Sequence, residues 1–205
     1  MNHETVPAEV SVLHSTLPLG SQGGRVRLRR MRLADLERFH AYRSDAETAR
    51  FQGWAQAEDP AQSFAFLEAM STAPVGLPDT WVQLAIADAA DDQLIGDIGL
   101  CLRSPPEAPA STCPADRRPV GAWMGITLHP GWRGRGLARE AFVALQDFLL
   151  GPGGLQEIEC WVDARNHASI QLLESSGMQR FCSEVRDFRG APCEEHGYRR
   201  ERLSA

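Results

Sequence analysis

Arg133-Gly134-Arg135-Gly136-Leu137-Ala138 is the stretch whose residue types and spacing point most directly to chemistry. It lies between a strand-like run and a helix-like run. The first turn of a helix has backbone N–H groups without intrahelical partners and carries partial positive charge. Glycine lets an anion approach that backbone closely, and flanking arginines add charge at the rim. A phosphate or diphosphate suits such a cradle. Two alternatives fail on residue type. A dinucleotide fingerprint requires a third glycine where Arg139 stands. A nucleoside-triphosphate loop requires a lysine, and all 21 basic residues here are arginine. The lack of lysine also excludes Schiff-base chemistry. A plainer reading stays open on residue types alone: two glycines that ease a tight strand-to-helix turn.

A second constellation is Asn166 with Ser169. Asn166 suits a helix N-cap, its side chain accepting from a backbone amide of the first turn. The cysteines (Cys101, Cys113, Cys160, Cys182 and Cys193) are odd in number and nowhere in C-x-x-C spacing, so they are expected to be reduced thiols and not metal ligands. The formal charge of −6 argues against nucleic acid as the main partner. No apolar run is long enough to span a membrane, and residues 1–24 lack the pattern of a signal peptide. A cytoplasmic protein that binds neither membrane nor metal is the expectation.

The elements that must position these residues can be read from periodicity. Residues 1–24 show little pattern and are expected to form a flexible arm, leaving 25–205 as one domain. Arg25 to Arg29 alternates as a half-buried strand. Residues 33–43 predict a helix with Leu33, Leu36, Phe39 and His40 on one face, and 60–70 a second with Phe64, Leu67 and Met70 inward. Residues 81–86 and 94–100 read as a hairpin around Asp91-Asp92. Residues 103–119 hold five of the thirteen prolines and predict an irregular insertion. Then follow a strand at 123–128, a helix at 134–150, a strand at 158–162, a short helix opened by Asn166 and ended by Gly177, and a closing pair joined through Arg189-Gly190. The order predicts a mixed α/β domain, mostly antiparallel, with helices on both faces and a crossover that makes one parallel pair.

Arg133-x-x-Gly136-x-Ala138 resembles the acyl-CoA diphosphate motif of the Gcn5-related N-acetyltransferases. Ile95-Gly96-Asp97-Ile98-Gly99-Leu100 upstream and Val162-x-x-x-Asn166-x-x-Ser169-x-x-Leu172-Leu173-Glu174-x-x-Gly177-Met178 downstream resemble the RimJ/RimL-like branch of that family. The likeness spans about residues 25–202. It implies a splayed parallel pair, 123–128 with 157–162, and acetyl-CoA as the acyl donor between the two strands. It implies that the amides of Arg133, Gly134, Arg135, Gly136, Leu137 and Ala138 hold the diphosphate. Ile126 and Leu128 would pair with the pantetheine arm, and Asn166 would touch it. Ser169 would donate a hydrogen bond to the departing sulfur. No cysteine nucleophile is required, because a neutral amine attacks directly in a ternary complex. Protein N-termini, small amines, aminoglycosides and polyamines are all possible acceptors, the first favoured; a non-catalytic acyl-CoA-binding module is the alternative from another class. Either a monomer or a homodimer is compatible.

The branch commonly carries a glutamate where Trp123 stands, so the general base cannot be carried over. Asp97, His129, Asp163 and Glu194-Glu195-His196 are the candidates, with Asp97 first because its strand is expected beside 123–128. Deprotonating a lysine-type amine at pH 7 costs about 4.6 kcal/mol, against about 1.4 kcal/mol for an α-amine. A site without a strong base therefore suits an α-amine.

Overall fold

A computed structural model describes residues 19–20, 24–54, 56–57, 59–105 and 119–203. Most of the expected arm and residues 106–118 of the expected insertion lie outside the described residues. The described elements run β1 (Val26–Arg30), α1 (Leu36–Arg43, after a 3-10 turn Leu33–Asp35), α2 (Ala46–Ala49) and α3 (Pro60–Thr72). They continue β2 (Trp81–Asp88), β3 (Leu94–Arg103), β4 (Gly121–Leu128) and α4 (Leu137–Leu150). β5 (Glu157–Asp163), α5 (His167–Ser175), β6 (Gln179–Phe188) and β7 (Ala191–Glu201) complete the domain.

One seven-stranded sheet has the order β1-β2-β3-β4-β5-β7-β6. Every neighbouring pair is antiparallel except β4 and β5. Those two pair only at Gly121↔Glu157, Ala122↔Ile158 and Trp123↔Glu159, and then separate. The expected parallel pair is thus present, and it is splayed.

The two faces of the sheet are covered differently. Ile98, Leu100, Met124, Ile158 and Cys160 form one face with Leu137, Ala141, Phe142, Leu145 and Leu149 of α4, and Leu173 of α5 packs there too. On the opposite face Ala85 and Leu94 meet Phe39, Tyr42 and Leu67 from α1 and α3. Helices therefore lie on both faces, as expected. Two inward positions do not hold: Leu33 and Phe64 are exposed. Leu33 sits in the 3-10 turn, whose threefold repeat sets it off the face of the α-helix that follows. In α3 the buried positions are Ser63 and Leu67, one helical step apart.

The helix expected at 134 begins at Leu137. Gly134 and Gly136 have φ of +74° and +77°, so neither belongs to a right-handed helix. At the other end Gly177, with φ +82°, closes α5 as expected. Replacing Phe142, fully buried between α4 and the sheet, with alanine should destabilise the domain by about 3–5 kcal/mol. Urea unfolding would show this as a lower midpoint at unchanged slope.

Candidate active site

The site begins where β4 parts from β5. Beyond Trp123, the β4 edge facing β5 has no strand partner, while its other edge stays paired to β3 through Leu128. A cleft of about 500 Å³ opens there. Ile126, Thr127 and Leu128 line it, with Arg133, Gly134, Gly136, Leu137 and Ala138 on one side and Asn166 and Ser169 on the other. A narrower extension of about 70 Å³ reaches into the splay between Met124, Gly125, Cys160 and Trp161. A larger hollow of about 680 Å³ lies at the far end of β6 and β7 and contains none of these residues.

The turn from β4 into α4 is held open by its own side chains. Arg133 donates to the Leu128 carbonyl at 3.1 Å and to the Thr48 hydroxyl at 2.6 Å. Arg135 donates to the Gly131 carbonyl at 3.0 Å and stacks on Trp132. Both guanidinium groups brace the turn while keeping positive charge beside it. Arg25 donates to Glu140 through its backbone N–H at 2.5 Å and its Nε at 3.0 Å, and to the Arg135 carbonyl at 3.0 Å. Glu140 is the one acidic group in the first turn of α4. With Arg25 on its carboxylate, the positive end of the helix is left for an outside anion. A Cβ placed on Gly134 would meet nothing within 4 Å. The bare backbone and the surrounding charge fit the diphosphate of an acyl coenzyme.

Asn166 caps α5, its Oδ1 accepting from the Ser169 amide at 3.2 Å. The cap fixes the first turn of α5, so Ser169 faces the cleft. Its hydroxyl has no hydrogen-bond partner among the described residues.

The structure brings together the expected cradle, the two β4 positions, Asn166 and Ser169. Arg135 contributes to the turn without lining the cleft. Asp97 lies apart. Its carboxylate is buried beneath α1, accepting from Tyr42 Oη at 2.5 Å and facing the Arg43 guanidinium at 3.3 Å. Burial pushes its pKa above the usual carboxylate range, against the pull of Arg43 and Tyr42. It is not among the residues of the cleft or its extension.

His129, Asp163, Glu195 and His196 are engaged too. His129 Nδ1 accepts from the Gly131 amide at 3.1 Å, and burial together with Arg38 and Arg133 lowers its pKa. Asp163 is held well below the usual range, first by hydrogen bonds from Arg165. Glu195 faces Arg186 at 3.8 Å. At the position of the expected glutamate, Trp123 donates its indole N–H to Glu159 at 3.3 Å. Glu159 is in turn gripped by Arg199 at 2.6 Å and Arg103 at 3.3 Å.

Sequence reasoning missed the segment that closes the cleft from above. Glu47, Thr48, Phe51 and Gln52 all line it. Their helix, α2, has only four residues, too short for periodicity to reveal. The available signal was Asp45-x-x-Thr48, a capping pair in which Asp45 accepts from the Thr48 amide at 2.8 Å. Arg189, at the tip of the β6–β7 hairpin, holds the same segment by donating to the carbonyls of Ala49, Gln52 and Trp54 at 3.1, 3.1 and 2.7 Å.

Residues 25–179 match the model of the acetyltransferase (GNAT) domain. No curated protein sequence matches the chain. Among solved structures, a GNAT-family acetyltransferase from Bacillus anthracis is similar at a TM-score of 0.72 and 17% identity, covering 87% of this chain and 96% of that one. A spermidine N-acetyltransferase from Vibrio cholerae, in complex with CoA and spermine, is similar at a TM-score of 0.65 and 17% identity, over 87% and 96%. RimL, a ribosomal L7/L12 α-N-protein acetyltransferase in complex with CoA, is similar at 0.68 and 12%, over 86% and 94%. At these identities the likeness is one of fold.

Gly136→Val should weaken acetyl-CoA binding at least about tenfold, equivalent to about 1.4 kcal/mol. A β-branched residue resists a φ of +77° and would distort the cradle. Titration calorimetry reads the affinity directly.

Proposed function

The chain belongs to the GNAT acetyltransferase family, and we propose that it transfers an acetyl group from acetyl-CoA to the α-amine of a peptide or protein N-terminus, as the RimJ/RimL-like branch does. Acetyl-CoA supplies the activated acyl group when bound. In this reading the backbone amides from Arg133 to Ala138 bind its diphosphate. Ile126 and Leu128 offer their β5-facing backbone to the pantetheine arm, the Leu128 carbonyl being already held by Arg133, and Asn166 lines the same path. Ser169, with a free hydroxyl facing the cleft, is the hydrogen-bond donor for the departing sulfur. Phe51 and Gln52 line the splay opposite Met124 and Ile126. Holding both reactants in one cleft supplies proximity, worth up to about 7–11 kcal/mol in model systems.

The observation that carries the choice of acceptor is the state of the carboxylates on the sheet face that also carries α1. Asp97, Glu157, Glu159, Asp163 and Glu195 each have an arginine partner. Bound arginine cancels their attraction for a second cation. A polyamine, with several ammonium groups, gains little from such a face. An acceptor with one amine on an otherwise neutral chain loses nothing there. Acid–base chemistry supports the same choice, since the amine with the lower pKa needs the least help to lose its proton. Solvent in the open mouth of the splay takes that proton. Asp97 is then a positioning residue: with Tyr42 and Arg43 it fixes α1 on the sheet.

Ser169→Ala should lower kcat by about tenfold or more while moving the acetyl-CoA KM little, because a hydrogen bond to the leaving group strengthens as negative charge develops there. An unchanged kcat removes the role. Thiol release measured against short peptides, lysine side-chain amines and spermidine should rank the α-amino peptides first. Turnover of spermidine alone would overturn the α-amine assignment.

A further inference from the structure

The residues of α2 and the turn after it that line the cleft are not equivalent. Glu47 and Thr48 line only its wide part, whereas Phe51 and Gln52 also line the narrow extension into the splay. Ser169 lines that extension as well, at the place where β4 and β5 have parted. On the acetyl-transfer reading above, the thioester sits there with its sulfur at Ser169. The attacking amine must arrive at the same place.

A neutral amine needs an acceptor that fixes its nitrogen without holding its proton. A carboxylate favours the ammonium form and raises the pKa of the amine. No aspartate or glutamate lines the extension; its polar side chains are Gln52, Cys160, Trp161, Asn166 and Ser169. Asn166 Oδ1 already accepts from the Ser169 amide. Trp161 offers only an indole N–H, and a neutral thiol such as buried Cys160 is a weak acceptor. Ser169 is assigned to the sulfur. Gln52 remains. Its backbone is fixed from both sides, the N–H donating to the Ala49 carbonyl at 3.1 Å and the carbonyl accepting from Arg189 at 3.1 Å. Its carboxamide has no hydrogen-bond partner among the described residues. The main chain is held in place, and the amide at the end of the side chain is uncommitted.

We propose that Gln52 binds the acceptor amine, its Oε1 accepting an N–H of the attacking nitrogen. The assignment rests on the acetyl-transfer reading. As the nitrogen lone pair forms the C–N bond, the C–S bond breaks with its electron pair on sulfur, and the surplus proton on nitrogen passes to solvent. A nitrogen that has given up its lone pair is a stronger N–H donor, so the bond to Gln52 tightens in the transition state. Being uncharged, the carboxamide holds the amine without favouring its protonated form.

The test first measures, by calorimetry above the pKa of the amine, the binding of alanyl-alanine amide to the protein saturated with CoA, where no transfer can occur. Gln52→Met keeps the shape and removes the acceptor. It should weaken dipeptide binding about fivefold, as one hydrogen bond predicts, and leave acetyl-CoA affinity unchanged. Its kcat/KM for the dipeptide should fall about tenfold, because the bond is stronger in the transition state. Gln52→Glu should move the acid limb of the kcat profile up by about one pH unit, since a carboxylate stabilises the bound ammonium; Gln52→Met should leave that limb in place. Wild-type dipeptide affinity in Gln52→Met overturns the assignment. So does an unmoved acid limb in Gln52→Glu, and so does a loss confined to acetyl-CoA affinity, which would put Gln52 on the coenzyme. A wild-type protein that takes up no acetyl-CoA overturns the acetyl-transfer reading itself, and this assignment with it. The assignment needs an amine but not an α-amine, so if spermidine alone is turned over, the same comparison is read with spermidine.

Discussion

The site depends on how few residues β4 and β5 share. Three pairs join the strands at their start, and none joins them beyond Trp123. A fully zipped pair would leave no cleft, because both edges would be consumed in the ladder. Strands with no contact would leave the sheet in two pieces. The short zipper keeps one sheet while exposing a length of unpaired backbone in its middle. That backbone is polar and needs partners, which an extended, amide-bearing cofactor arm can provide. The crossover helix α4 covers the same strands, so its N-terminal charge falls at the mouth of the opening. Geometry and electrostatics thus share one origin.

Arginine holds this arrangement together. Arg25 neutralises Glu140 at the start of α4, and Arg133 links the turn between β4 and α4 to Thr48. Arg189 ties the β6–β7 tip to the segment after α2 from more than 130 residues away in the chain. Arg103 and Arg199 surround Glu159 where β4 and β5 begin to part. A guanidinium presents several donors in a fixed plane, so one side chain can bridge carbonyls or carboxylates from separate elements. Lysine would offer a point charge without that geometry. The arginine-only composition and the number of long-range clamps are two views of one feature.

The place of the missing glutamate shows how a family site can be rebuilt. Trp123 turns its indole N–H toward Glu159, and the carboxylate that remains in this region belongs to β5 and is ion-paired.

Local chemistry was legible in the chain. Arg133 to Ala138 announced a glycine turn into a helix because glycine torsions and a helix start are properties of adjacent residues. Asn166 and Gly177 marked the two ends of α5 for the same reason, and alternation revealed the strands. The burial of Asp97 was hidden, because it is decided by Tyr42 and Arg43, which lie more than fifty positions away in the sequence and meet it only once α1 packs on the sheet. Leu33 and Phe64 went astray because helical spacing defines a face but not which neighbour covers it. The segment of Thr48, Phe51 and Gln52 over the cleft and the arginine clamps came from tertiary structure alone, since strand register and the approach of distant loops are fixed by packing and not by the order of residues within any one segment.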